Sequence, residues 1–173
     1  DGDLVARSEV CVNLPARLKM SPPAYTGLQR DAIPTVELDN GKGVMNLISG
    51  QYRGRQGPVQ SLTGVFMSTL ELQAGASVRL PGLAGRTVLL YLVRGELVAG
   101  GTPMPQHHLA ELSDGGDELV LNARQDSVVL FGHAQAIGEP VVAHGPFVMN
   151  TREEITTAIL DYQAGRFGAP LPG

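Results

Sequence analysis

The chain has 173 residues, 43% of them hydrophobic, and a net charge of −4. This length is enough for one domain that buries a sizeable core, and it leaves room for an arm. The acidic balance excludes a basic surface for nucleic acid, and no apolar run approaches the roughly 20 residues that a membrane-spanning helix needs.

The single cysteine excludes an internal disulfide framework and fits a reducing compartment, so we expect a cytoplasmic protein. The 22 glycines and 12 prolines indicate many short strands and tight turns. The chain begins at Asp1 rather than at Met, which suggests a fragment or a cleaved product. We expect an N-terminal arm or interdomain linker over residues 1–43, a β-barrel over residues 44–149, and a C-terminal helix and tail over residues 150–173.

The predicted arm contains one short alternating run. Val10, Val12 and Leu14 point to the same side of a predicted strand, which Pro15 ends. The sequence Met20-Ser-Pro-Pro23 then favours an extended, polyproline-like backbone.

Strand candidates follow at short intervals, and turns that contain glycine separate them. Many short strands with this spacing are typical of a β-sandwich or barrel. The candidates are Ile33–Leu38, Val44–Ile48, Gly64–Leu72, Val78–Leu80, Thr87–Arg94, Glu96–Ala99, His108–Leu112, Glu118–Asn122 and Ser127–Gly132.

The C-terminal part combines a strand pattern with a capped helix. Residues from His144 to Met149 alternate, which predicts one strand. Thr151 and Glu154 have the spacing of a capping box, and Gly165 supplies a stop signal. The helix between them should dock by one apolar face, formed by Ile155, Ala158, Ile159 and Tyr162.

The intervals between Gly75, Pro81, Leu83, Val88 and Gly95 resemble those of the first motif of the cupin family. In that family a glycine is followed by two histidines, a glutamate and a second glycine at set intervals, and the histidines and glutamate bind a metal inside a barrel. The spacing is kept here from Gly75 to Gly95. Pro81 and Leu83 stand in the places of the histidines, and Val88 stands in the place of the glutamate.

The second cupin motif would add a further histidine, and Ser127 falls in its place. Proline, leucine and valine carry no donor for a first-row metal, and a single serine hydroxyl cannot hold iron or zinc alone. We therefore predict no metal, no cofactor and no catalytic group in this chain. The replaced positions should instead fill the barrel mouth with apolar side chains.

Three patches resemble the pirin family of two-cupin proteins: Val12–Ala16, residues 44–58 and, most specifically, His144–Ile155. The resemblance implies an all-β fold, a cupin-type double-stranded β-helix (jelly roll) with an N-terminal arm and one C-terminal helix. Pirins carry iron in an N-terminal cupin, held by three His and one Glu, and this chain resembles the C-terminal cupin.

The resemblance implies a structural and interaction module. Its partner would be the N-terminal cupin of the same protein or a second copy of this chain, and residues 10–25 with the terminal helix would help to bridge. Quercetin dioxygenation in some bacterial pirins and transcription-cofactor binding in eukaryotic ones cannot be assigned to residues of this chain. Two alternatives stay open: a piece of an iron-dependent quercetin 2,3-dioxygenase-like enzyme, and a cupin that binds a small molecule without metal.

Five other residues could in principle form a site. A turn before a strand is the ordinary interpretation of His107 and His108, since strand neighbours point to opposite faces. A metal site from His107, His133, His144 and Cys11 would need at least three of them to converge. Cys11, between two valines, is predicted to be a half-buried, inert thiol.

Overall fold

The computed structural model describes residues 10–23, 25–112 and 115–168. The chain divides into two compact units, one over residues 24–136 and one formed by residues 1–23 together with 137–173. The predicted arm over residues 1–43 is thus shared between the units. Each unit is described by itself.

The larger unit contains β-strands and short 3₁₀ turns, in agreement with the predicted all-β fold. Its strands are β1 Thr35–Leu38, β2 Gly43–Ser49, β3 Gln51–Tyr52, β4 Arg55–Gln56, β5 Phe66–Leu72, β6 Ser77–Pro81, β7 Thr87–Arg94, β8 Leu97–Ala99, β9 Thr102–Met104, β10 Leu109–Leu112, β11 Glu118–Ala123 and β12 Ser127–Ala134.

Two antiparallel sheets enclose the core of this unit. One has six strands in the order β1-β2-β5-β12-β7-β10, and the other has four in the order β6-β11-β8-β9. Strands that are distant in sequence become neighbours in both sheets, as a jelly roll requires. The alternating apolar side chains of both sheets join in one buried cluster, which includes Met45, Leu70, Leu80, Leu92, Leu97, Leu121 and Val129.

Strand β12 lies between β5 and β7, and its pairing with both strands indicates which side chains face the interior of the barrel. His133 pairs with Phe66 of β5 and with Val88 of β7, and Phe131 pairs with Leu90. Directly paired residues of an antiparallel sheet share a face, so these side chains line the same inner wall. We call this end of the barrel, at Phe66, Val88 and His133, the barrel mouth.

All nine predicted strands of the larger unit are present, with ends shifted by no more than two residues. The sequence did not reveal the hairpin β3–β4, whose strands have only two residues each and whose turn contains the left-handed Arg53 and Gly54. It also missed β9, because Pro103 breaks the ordinary strand signal.

The smaller unit corrects two strand predictions. Residues 10–15 form no strand, and Val10 and Val12 are 41% and 51% exposed. Their alternation was misleading, since no described strand pairs with them. Residues 144–149 do not form the single strand that was predicted, because they contain the turn of a hairpin. The two strands of this hairpin are β13 Val142–His144 and β14 Phe147–Met149. Gly145, with a φ of +54°, lies in the turn between them.

Helix α1, Arg152–Gln163, begins as predicted. The Glu154 amide donates to the Thr151 hydroxyl at 3.2 Å, and the Glu154 carboxylate accepts from the Thr151 amide at 2.9 Å, which completes the capping box. Ile155 is buried, whereas Tyr162 at the other end of the predicted apolar face is 64% exposed. No helix within the described residues combines the length and apolar character needed to cross a membrane.

Within the smaller unit, polar contacts join the N-terminal segment to the C-terminal residues. The amide of Ala16 donates to the Glu139 carboxylate at 2.7 Å, and Lys19 Nζ donates to the carbonyl of Val148 at 3.2 Å. Asn150 Nδ2 donates to the same Glu139 carboxylate at 3.0 Å, so this side chain joins the N-terminal segment to the start of α1.

Candidate functional site

Pro81, Leu83 and Val88, the three positions predicted from the first cupin motif, hold apolar side chains, and two of them are packed in the core. Leu83 is 5% exposed and Val88 is 4% exposed. Pro81 does not fill the barrel mouth as expected, because it is exposed on the outer side of β6, in register with Glu118. The left-handed Gly82, with a φ of +80°, turns the chain between Pro81 and Leu83.

Ser127, the fourth position, is 2% exposed and already bonded. Its hydroxyl lies 2.8 Å from the carbonyl oxygen of Gln125 and 3.3 Å from that of Glu96. Gly95 approaches this hydroxyl so closely that a Cβ at that position would overlap it and the carbonyl of Asp126. Ser127 therefore packs tightly against the segment that contains Gly95 and Glu96.

These four residues do not fit a bound iron. Imidazole, carboxylate or thiolate groups are needed to hold a first-row metal, and none is present at the four positions. Within residues 10–23, 25–112 and 115–168, no three His, Cys, Asp or Glu side chains converge as ligands could.

His133 brings an ionisable side chain to the otherwise apolar barrel mouth. Its ring is half-buried and stacks on the ring of Phe66, with centroids 4.6 Å apart and planes within 6°. A second ring, Phe131, lies at 5.6 Å in a tilted arrangement. These contacts hold the imidazole in one orientation.

Arg86 fixes the same imidazole through a hydrogen bond. Its Nε donates to Nδ1 of His133 at 2.5 Å, and its Nη2 donates to the carbonyl of Gly64 at 3.2 Å. Arg86 lies in a turn in which its amide donates to the carbonyl of Leu83 at 3.1 Å, and this turn positions its side chain beside His133. The pair bridges residues 47 apart in sequence, so no local motif could reveal it.

The environment makes the imidazole neutral at ordinary pH. Burial, and secondly the charge of Arg86, lower the pKa of His133 from 6.5 to about 4. Because an arginine Nε always carries a hydrogen, Nδ1 of His133 must be the acceptor, and the imidazole proton then lies on Nε2. Nε2 makes no hydrogen bond within the described part of the chain and is not among its buried unbonded atoms.

The other candidate residues belong to no cluster of possible metal ligands among the described residues. His107, with a φ of +61°, and His108 form a turn before β10 as predicted, and both are exposed. His144 is exposed at the end of β13. Cys11 is exposed, so the prediction of a half-buried thiol is wrong: it followed from a strand that does not form.

A polar groove of about 340 Å³ lies elsewhere in the larger unit, near the edge strands β1 and β6. Three of its charged side chains already have partners. Arg53 donates to the carbonyl of Glu37 at 3.2 Å, and Asp39 accepts from the Ser77 amide at 2.8 Å. Arg79 pairs with Glu118 at 2.6 Å.

Comparison with known proteins agrees with the resemblance seen in the sequence. The family model of the pirin C-terminal cupin domain matches residues 67–168. The chain is 34% identical to human pirin over 168 residues, 92% of this chain and 56% of that protein. It is also 34% identical to a pirin-like protein of Caulobacter vibrioides over 165 residues, 92% of this chain and 58% of that protein.

A solved structure shows the same fold. The crystal structure of a quercetin 2,3-dioxygenase from Acinetobacter baumannii superposes with a TM-score of 0.86 at 32% identity, over 92% of this chain and 56% of that one. The chain thus spans a little more than half the length of the relatives it matches.

Proposed function

Because the chain belongs to the pirin family, as a C-terminal cupin domain, we propose that it is a metal-free structural and interaction module. It packs against a metal-bearing N-terminal cupin of the same protein or against a second copy of this chain. The iron and any dioxygenase chemistry of the intact protein belong to that other cupin.

The observation that carries this proposal is that the predicted ligand positions hold no side chain that could bind a metal. Leu83 and Val88 are buried members of the hydrophobic core, and the hydroxyl of Ser127 is bonded to backbone carbonyls. A metal at the barrel centre would have to displace core side chains and would find no nitrogen, thiolate or carboxylate donor at these positions. Apolar side chains of the hydrophobic core fill the interior of the barrel.

The relation to quercetin rests on the Acinetobacter relative, whose name includes that substrate. For the intact protein to which this chain belongs, we propose a quercetin 2,3-dioxygenase-like activity that needs the N-terminal cupin. This chain would then support that cupin and supply no reacting group.

Exposed apolar side chains of the smaller unit support an interaction role. Phe147, Tyr162 and Phe167 contact one another edge to face, with centroids 5.7 to 6.2 Å apart. Tyr162 is 64% exposed and Phe167 is 59% exposed. Exposed aromatic clusters of this kind are typical of protein interfaces. We call these three residues the aromatic patch.

A turnover assay tests the proposal. The purified chain is supplied with ferrous iron and quercetin, and a full-length relative serves as the positive control. We expect the chain to turn over no more quercetin than free iron does. Turnover clearly above that blank would contradict the proposal.

A small-molecule-binding cupin remains the second candidate. The half-buried Arg86 and His133 favour this candidate, because they place polar groups at the barrel mouth. Neither residue is one of the predicted metal-ligand positions.

A further inference from the structure

We propose that two copies of this chain associate face to face through the outer side of the six-stranded sheet. The inference rests on the interaction role proposed above, to which it adds a surface and a partner. The surface lies wholly within the larger unit, on the side of β7 and β12 that faces away from the core. It does not include the aromatic patch, whose residues belong to the smaller unit.

The first argument is that β7 is apolar on both of its faces. All residues from Val88 to Val93 are apolar. Leu90 and Leu92 belong to the core cluster, so Tyr91 between them points outward. Antiparallel strands with one face in water alternate between apolar and polar residues, whereas a continuous apolar run is typical of a strand covered on both faces. The sequence of β7 therefore indicates a partner layer on the outer side.

The pairing of the strands places further apolar side chains beside Tyr91. Tyr91 pairs with Leu109 of the edge strand β10 and with Leu130 of β12. Leu130 is 8% exposed although it is not a member of the core cluster, and Leu109 is 66% exposed. Paired residues share a face, so the three side chains form one apolar row across the outer side of the sheet.

A second row continues this apolar surface. Gly132 of β12 pairs with Leu89 of β7 and with Met67 of β5. The sulfur of Met67 lies over Gly132, at 3.1 Å from the place that a Cβ would take there. Contiguous apolar surface of this kind marks interaction sites on soluble proteins. We call the following residues of the two rows the outer patch: Leu89, Tyr91, Leu109, Leu130 and Met67.

Two residues of opposite charge flank the outer patch at its two ends. Glu111 pairs with Leu89 at one end, and Arg94 pairs with Val128 at the other. Val129 belongs to the core cluster, so its neighbour Val128 and the paired Arg94 point outward. Glu111 and Arg94 are both exposed, and neither forms an ion pair with a described residue.

The positions of these charges fit a second copy of the chain. In a face-to-face dimer whose two-fold axis runs across the strands at Tyr91, each Tyr91 faces its counterpart. Leu89 and Arg94 lie about 7 and 10 Å from Tyr91 along β7, on opposite sides of the axis. The axis therefore brings Arg94 close to the partner's Glu111, and this pairing occurs twice. A symmetric interface needs a surface that is complementary to itself, and this one meets the condition.

The same charges disfavour a partner of one sign. A strongly acidic surface would meet Glu111 at one end of the outer patch, and a strongly basic one would meet Arg94 at the other. An apolar sheet face between two opposite charges suits a second sheet of the same kind, packed about 10 Å away.

Sedimentation velocity of the purified chain tests the proposal. The chain is measured from about 1 to 200 µM at neutral pH and low salt. We expect a reversible equilibrium between monomer and dimer with a Kd of about 10 µM, in the range of a small interface. Added salt should weaken the dimer, because it screens the exposed charge pairs.

Matched variants locate the interface. Leu109→Lys should weaken the dimer at least about tenfold, because it places a charge in the outer patch. Its urea unfolding midpoint should stay unchanged, since Leu109 is exposed in the single chain. Leu62→Lys is the control: Leu62 is 61% exposed and lies outside the outer patch, so the Kd should not change.

Reversal of the two charges tests the two-fold axis itself. Arg94→Glu and Glu111→Arg should each weaken the dimer several-fold, because each brings like charges together across the interface. The double variant restores opposite charges, so its Kd should return to within about twofold of that of the natural chain. Both positions are exposed, and the variants should therefore fold normally.

Three results would overturn the proposal. One is a chain that stays monomeric up to about 200 µM. Another is a dimer that Leu109→Lys leaves intact, and the third is a double charge reversal that does not recover the single losses. If the chain is monomeric and Leu109→Lys weakens binding of an N-terminal cupin from a relative, that cupin covers this face and a second copy does not. The metal-free role is judged separately, by iron content and quercetin turnover.

Discussion

Nε of Arg86 donates to Nδ1 of His133 across 2.5 Å, which fixes both the orientation and the proton position of a half-buried imidazole. The bond requires a neutral ring, because a protonated Nδ1 would place two N–H groups against each other. The stability of the larger unit should therefore depend on pH in a defined direction.

The first prediction concerns that dependence. The pKa of His133 is about 4 in the folded chain and near 6.5 in the unfolded one, so the unfolded chain binds more protons between these values. The stabilisation is complete above the unfolded pKa and is lost as pH falls from about 6.5 towards about 4. Urea unfolding at a series of pH values measures it.

A His133→Gln variant serves as the reference, because glutamine can accept from Arg86 but does not titrate. The free energy of unfolding of the natural chain should fall more steeply with acidification than that of the variant. Parallel curves over the whole window would contradict the role assigned to this bond.

The second prediction concerns the two core residues of the emptied ligand frame. Leu83→Ala should lower the free energy of unfolding by about 2 to 4 kcal/mol, and Val88→Ala by about 1 to 3 kcal/mol, because each leaves a cavity in a packed core. Leu62→Ala, at a side chain that is 61% exposed, should change it by less than about 0.5 kcal/mol. Equal effects at the three positions would mean that the barrel interior is not packed as described.

The third prediction concerns the glycine beside Ser127. Gly95→Ala should cost more than about 2 kcal/mol, because Gly95 has a φ of +101° and its Cβ would overlap the Ser127 hydroxyl. Gly101→Ala is the control: its φ of +86° is also left-handed, but no atom lies within 4 Å of the added Cβ. It should cost about 1 kcal/mol, the backbone strain alone. Unfolding by urea separates the two, and similar losses would remove the steric argument.

The fourth prediction concerns the start of α1. Thr151→Ala removes the acceptor of the Glu154 amide and should destabilise the helix by about 1 kcal/mol. Thr156→Ala, in the middle of the helix and exposed, removes only a hydroxyl bonded to the Arg152 carbonyl, and should be nearly neutral. Amide hydrogen exchange of α1 measures both, and faster exchange in the Thr156 variant alone would be the opposite of the expected result.

The fifth prediction concerns the aromatic patch. A Tyr162→Ser, Phe167→Ser double variant should retain its unfolding midpoint but bind an N-terminal cupin from a relative at least about tenfold more weakly. Leu62→Ser is the control, since it is equally exposed and lies outside the patch. Titration calorimetry provides the affinities, and an unchanged affinity in the double variant would place the interface elsewhere.

The sequence predicted those parts of the fold whose signals are local. Alternation between glycine turns located most strands, and the Thr151–Glu154 spacing located the helix start. It was misled where alternation had no partner strand, as at Val10 and Val12, and where a left-handed glycine folded one apparent strand into a hairpin, as at Gly145.

The candidate site was less accessible to sequence reasoning. Motif spacing predicted Leu83, Val88 and Ser127 as places of missing ligands, and it gave no sign that Gly82 turns Pro81 outward. The contact between Arg86 and His133 depends on β7 and β12 becoming neighbours in the sheet. Pairing between distant strands is a property of the whole fold, and no local pattern reports it.

The iron content of the purified chain tests the central claim most directly. The chain is expressed with iron in excess, freed of weakly bound metal by gel filtration, and analysed by mass spectrometry of the metal, beside a full-length relative prepared in the same way. We predict less than about 0.1 equivalent of iron per chain, because the frame positions offer no donor set for it. Close to one equivalent of tightly bound iron would contradict the account.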